Sequence, residues 1–146
     1  MKNKLLVLLI GSYVLAFSIN LMPAIKYPDL DVNFLNLLAT AVFLALLLLN
    51  ARNDSTKLRI FLSIGILSGV LVYFISLFES PMLEHGLLDA IASIQYPFFL
   101  IFTTPLFGGN LLLDIGYGPY SLLMSLLYAA VLVLATYSKK NPVQIV

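Results

Sequence analysis

The chain has 146 residues, of which 61% are hydrophobic and 10% charged, with a formal net charge of +1 and no cysteine. A soluble domain carries about 25% charged residues, so a monomer of this composition could not cover itself with polar groups in water. The near-neutral balance excludes the clustered Lys and Arg of a nucleic-acid partner, and the missing thiols exclude disulfides, zinc thiolates and Cys nucleophiles.

Residues 5–25 come first, 21 residues without a charge between Lys4 and Lys26. A crossing helix needs about 20 apolar residues, because each rises 1.5 Å through a hydrocarbon core roughly 30 Å thick. Lys2, Lys4 and the small-x-small site Ala16-Phe17-Ser18 also fit a secretory leader. The apolar run continues to Met22, which favours an uncleaved span over residues 5–22, ended by Pro23. Residues 32–51 give a second stretch of 20, with Asp31 or Asn33 as its cap and a span over 34–51. Residues 60–78 give a third of 19, capped by Asp54 or Ser55. That stretch carries Gly65 and Gly69 four apart, a spacing that lets a neighbouring backbone come close. Two readings fit it: packing inside the bundle, or pairing of two copies.

Residues 81–113 are harder to place. Ser80-Pro81 reads as the start of another helix, with Leu83, Leu87, Ile91 and Ile94 on one face. His85, Asp89 and Ser93 fall on another, so the segment suits the headgroup layer of a bilayer. Glu79, Glu84, His85 and Asp89 make a candidate polar site, and His85 and Asp89, four apart, are within reach of each other on a helix. With one His and no Cys, no metal or cofactor is expected there. Residues 90–113 are uncharged for 24 positions, but Pro97, Pro105 and the pair Gly108-Gly109 interrupt them. Such backbone is tolerated at membrane depth only where protein covers it or it lines a cavity. It is read as an aromatic lid over the bundle, or else as a selectivity element.

Gly116, Gly118 and Pro119 read as a turn before a last span over 118–138, where Ser121, Ser125 and Ala129 form a second ladder of small residues. Trp is absent, so the eight Tyr must supply any interfacial aromatic belt. Charge decides the number of crossings. Four spans with the N-terminus inside put Lys2, Lys4, Arg52, Lys57, Arg59, Lys139 and Lys140 on the cytoplasmic side and Lys26 outside. A fifth crossing spoils that split to five against three.

The expected fold is therefore an all-α membrane protein: a four-helix transmembrane bundle with an amphipathic or re-entrant segment between the third and fourth spans. A plasma-membrane location with both termini cytoplasmic is expected, the partners being the bilayer and another membrane protein or a second copy. The spans hold no charge at their centres, and no nucleotide, zinc-protease or serine-hydrolase signature occurs. A non-enzymatic accessory, regulatory or protective module is the first expectation. A small transporter or oligomeric channel, and an enzyme at the outer face, are the alternatives.

Overall fold

The computed structural model describes residues 2–53, 55–82 and 84–140. Among them there is no strand, as lipid-soluble backbone that must bond to itself would dictate. The elements are α1 (Lys2–Lys26), α2 (Phe34–Ala51), α3 (Thr56–Met82), α4 (Gly86–Ser93) and α5 (Gln95–Phe98). A π-helical turn (Phe99–Thr103), a 3₁₀ helix (Thr104–Leu112) and α6 (Tyr117–Lys140) follow. Counting 86–112 as one, five helical stretches are long and apolar enough to cross a membrane. The 86–112 stretch stands apart, with 50% of its most apolar window buried against 22–39% in the others. It is an inside element, and the others surround it.

Local signals explain most boundaries. Asn33 caps α2 by accepting from the Leu35 and Asn36 amides, and Asn36 returns the bond to the Asn33 amide, a reciprocal box with Asn at both places. Ser55 caps α3 through the Leu58 amide at 3.3 Å. Asp54, the other candidate cap, and Leu83 lie outside the described residues.

Three expectations need correcting. Pro23 does not end α1, which continues to Lys26. The ring removes the donor for the Ile19 carbonyl, and the Asn36 side chain supplies one instead, at 2.9 Å. Ser80-Pro81 does not open a helix: Pro81 lies inside the last turn of α3, and α4 begins at Gly86. Gly118 is no turn residue but sits buried in the first turn of α6, where a Cβ would overlap the Ser76 hydroxyl.

α3 and α6 run antiparallel, Ser76 beside Gly118, Gly69 beside Ser121 and Ser125, Gly65 beside Tyr128. A Cβ on Gly69 would overlap the Ser121 carbonyl, and one on Gly65 would meet the Tyr128 ring at 2.8 Å. Ala129, half-buried, continues the α6 side of the seam. The small residues are thus used within one chain, which fills the Gly65/Gly69 face from inside. α1 packs on α2, and the 3₁₀ helix packs on both. One end of the bundle, the terminal end, gathers the starts of α1 and α3 and the end of α2, joined where Asn50 Nδ2 reaches the Leu5 carbonyl at 3.2 Å. The far end joins the α1–α2 turn to the segment before α6 through a hydrogen bond from the Tyr27 hydroxyl to Asp114.

Candidate functional site

The feature that organises this molecule is how the backbone of residues 95–114 is satisfied. A π turn followed directly by a 3₁₀ helix has poorer internal hydrogen bonds than an α-helix, and Pro105 removes one donor outright. Buried carbonyls left without partners are costly, so donors must come from elsewhere. They come from four helices. Ser68 on α3 donates to the Phe98 carbonyl at 3.1 Å, Tyr13 on α1 to Ile101 at 2.9 Å, and Tyr128 on α6 to Phe102 at 2.7 Å. The Pro105 carbonyl accepts from Asn20 at 3.2 Å and Thr40 at 3.1 Å, and the Leu106 carbonyl from Tyr120.

Ile101 lies four positions before Pro105, as Ile19 lies before Pro23, and Tyr13 serves its carbonyl as Asn36 serves that of Ile19. Thr40 is the most engaged side chain. Its hydroxyl donates once, to Pro105, and accepts from Asn20 Nδ2 at 3.0 Å and the Gly108 amide at 3.1 Å, which exhausts its inventory. Gly108 has to lack a side chain, since a Cβ would overlap the Asn36 carbonyl. At Gly109 the close neighbour is the Tyr120 hydroxyl, 2.7 Å from a built Cβ.

The order of these partners gives the path of the segment. From 95 to 98 its contacts on α3 fall from Glu79 to Ser68, so it runs antiparallel to α3, into the bundle. From 101 through 105 to 114 its partners on α1 rise from Tyr13 through Asn20 to Tyr27, so it runs parallel to α1, back out. Both its ends lie at the far end of the bundle. At its deepest point Phe102 packs tilted against Phe61 (5.1 Å between ring centres) and edge-to-face with Tyr128 (6.3 Å).

The candidate polar site is divided by the fold. Glu79 turns to the segment, where its carboxylate accepts from Tyr96 at 3.1 Å, Gln95 at 3.5 Å and Tyr117. Glu84, His85 and Asp89 are exposed, and their side chains make no hydrogen bond among the described residues. His85 has extended backbone as the N-cap of α4, so the helical spacing expected to bring it to Asp89 does not apply. Among the described residues no three His, Asp or Glu gather in a way that could hold a metal.

Reading the sequence missed Tyr13, Tyr120 and Tyr128, which serve the interior and not an interfacial belt. For Tyr13 a signal was present in Pro105, since a proline in a helix implies an orphan carbonyl earlier in the chain and hence a donor somewhere opposite; Tyr120 and Tyr128 had none.

The segment fills only the far half of the bundle. Toward the terminal end a cavity of about 610 Å³ opens between α1, α2 and the start of α3. Tyr13, Phe43 and Phe61 close its inner end, their rings 5.7–6.3 Å apart around Tyr13. Its mouth is polar, with Asn3, Asn53 and Lys57.

No family model, no curated protein and no solved structure matches this chain.

Proposed function

We propose that the chain is a plasma-membrane protein with four crossings, α1, α2, α3 and α6, and that residues 86–112 enter and leave from the outer face. Both termini then lie in the cytoplasm. Support comes from the path of the segment, whose two ends share one end of the bundle, and from charge. Lys4, Arg52, Lys57 and Arg59 stand at the terminal end and Lys26 at the other, as the positive-inside rule wants. α4, with Leu87, Ile91 and Ile94 exposed, then lies in the outer headgroup layer. Leu113→Cys should react with an impermeant maleimide on intact cells, and Val146→Cys should be spared. The reverse pattern would overturn this topology, by inverting the bundle or by adding a fifth crossing.

Within that topology the chain acts without catalysis, as an accessory, regulatory or protective module working through helix contacts. One observation carries this reading: the donors of the following buried or half-buried polar side chains in the helices are spent on the protein itself, mostly on its backbone. Ser68, Asn20, Thr40, Asn36, Tyr13 and Tyr128 each donate to a carbonyl, and none of these bonds is left over for a substrate. With the α3 glycines covered, the outward small residues include Gly11 on α1 and Ala41 and Ala45, four apart on α2, where another helix can pack closely. Purification in mild detergent, with mass and composition of the particle, tests it. A stoichiometric partner lost on Ala41→Ile supports the module. A partnerless monomer that carries solute flux in vesicles replaces it with the transporter reading, which the open terminal half favours.

A further inference from the structure

We infer that the cavity at the terminal end is a binding site for one anionic amphiphile, a hydrocarbon chain ending in a carboxylate or phosphate. The re-entering segment turns back at Phe102, and beyond it the terminal parts of α1, α2 and α3 line the cavity. At about 610 Å³ it falls within the roughly 300–1,000 Å³ range of ligand pockets. Its chemistry is graded along its length. Leu9, Leu47 and Phe43 are buried behind the inner wall, while Leu6, Ile10, Leu58 and the rings of Tyr13 and Phe61 offer a chain apolar surface and offer a polar solute nothing. Tyr13 could have been a polar contact, but its hydroxyl is committed to the Ile101 carbonyl.

The mouth selects for charge. Among the described residues lining the cavity Lys57 carries the one formal charge, and Asn3, Asn53 and Thr56 stand around it. An ammonium with neutral amides beside it and an apolar shaft behind it is complementary to a fatty acid or a lipid phosphate, and repels a cationic amphiphile. The occupant has two possible sources, a free single-chain acid or one tail of an acidic phospholipid leaning in from the bilayer. Binding does not depend on the number of crossings. The four-span reading adds only that the cytoplasmic leaflet supplies the ligand.

The test is native mass spectrometry of the full chain released from phosphatidylcholine vesicles doped with palmitate and phosphatidylglycerol. The expected result is a single retained adduct, of palmitate mass for the free acid or phosphatidylglycerol mass for the lipid tail. Ile10→Trp, at a wall position 56% exposed where a larger side chain does not disturb the core, should abolish retention. Lys57→Gln should weaken it about threefold to tenfold, the range for losing one partly exposed charged contact. Equal retention of phosphatidylcholine, equal retention in Ile10→Trp, or no adduct from a folded protein would each overturn the proposal. Cysteine labelling reads the topology independently, so failure of one does not count against the other.

Discussion

The α3–α6 seam and the cradle around residues 98–108 solve the same problem by opposite means. Both bring backbones into contact where no water is available. Along the seam each helix satisfies its own hydrogen bonds, so closeness needs only small side chains: Gly65, Gly69, Gly118, Ser121 and Ser125. In the cradle the central chain is irregular and cannot satisfy itself, so its neighbours must donate, through Ser68, Tyr13, Tyr128, Asn20, Thr40 and Tyr120. The first contact is held mainly by shape, with a direct hydrogen bond only at its far end, from Tyr117 to Glu79. The second is pinned at each bonded carbonyl.

That difference should be largest for added methyl groups. Gly108→Ala drives a Cβ into the Asn36 carbonyl and toward the Thr40 hydroxyl, both fixed by their own bonds. We expect a loss of about 3 kcal/mol or more in detergent unfolding. Gly69→Ala drives a Cβ into the Ser121 carbonyl, on a helix that keeps its own hydrogen bonds as it gives way locally, and about 1–3 kcal/mol should suffice. Gly11→Ala is the control, with nothing within 4 Å of its added carbon, and should stabilise by roughly 0.5–1 kcal/mol. If Gly69 proves costlier than Gly108, the seam is the pinned element and the comparison is inverted.

Removing the most engaged donor comes next. Thr40→Val keeps the shape and strips the hydroxyl shared by Asn20, Pro105 and Gly108, at a cost of about 1–3 kcal/mol. Ser125→Ala, whose hydroxyl bonds only the Leu122 carbonyl of its own helix, should change stability by less than about 0.5 kcal/mol. A thermal unfolding series on the two variants separates polar pinning from packing.

These two regions also differ in how far they could be read in advance. The seam is written locally: glycines four apart on one stretch and a ladder of Ser and Ala on another. The second span coincides with α2 at 34–51, because Asn33 stops it by capping. α3 overruns its expected 60–78 to span Thr56–Met82, since charges such as Lys57 and Glu79 limit burial in lipid and not helix formation. The cradle was illegible for a different reason. Tyr13 and Ile101 are 88 residues apart, and Thr40 and Gly108 are 68 apart, so nothing in either neighbourhood announces the other. Tyrosine in a membrane chain is ordinarily an interfacial residue, and only the stranded carbonyl of a proline says that one is needed inside.

That proline logic gives a smaller but more discriminating effect. Tyr13→Phe removes the donor to Ile101 and should cost about 0.6 kcal/mol, the average for a side-chain hydrogen bond between membrane helices. Pro105→Ala returns a backbone amide to the same carbonyl, so in that background Tyr13→Phe should cost almost nothing. Asn36→Leu should behave alike with Pro23→Ala, apart from the cap it also removes from α2. Additive losses in both cycles would mean that the hydroxyl and amide serve packing, not the stranded carbonyls.

The smallest effect lies at the far end, where the cradle is closed by an exposed contact. Tyr27 donates to Asp114, and that bond, with some burial and the carboxylate's charge, raises the Tyr27 phenol above its ordinary 10.0. A phenol raised in the folded state stabilises fully below its unfolded value, and the contribution is lost as pH climbs through the folded one. The contact should therefore hold at neutral pH and fail only in alkali. Asp114→Asn removes both the charge and the carboxylate acceptor, so the phenolate absorbance of Tyr27 should appear at lower pH than in the parent. A titration of Tyr27 unchanged by Asp114→Asn would detach the α1–α2 turn from the segment and leave the far end of the cradle open.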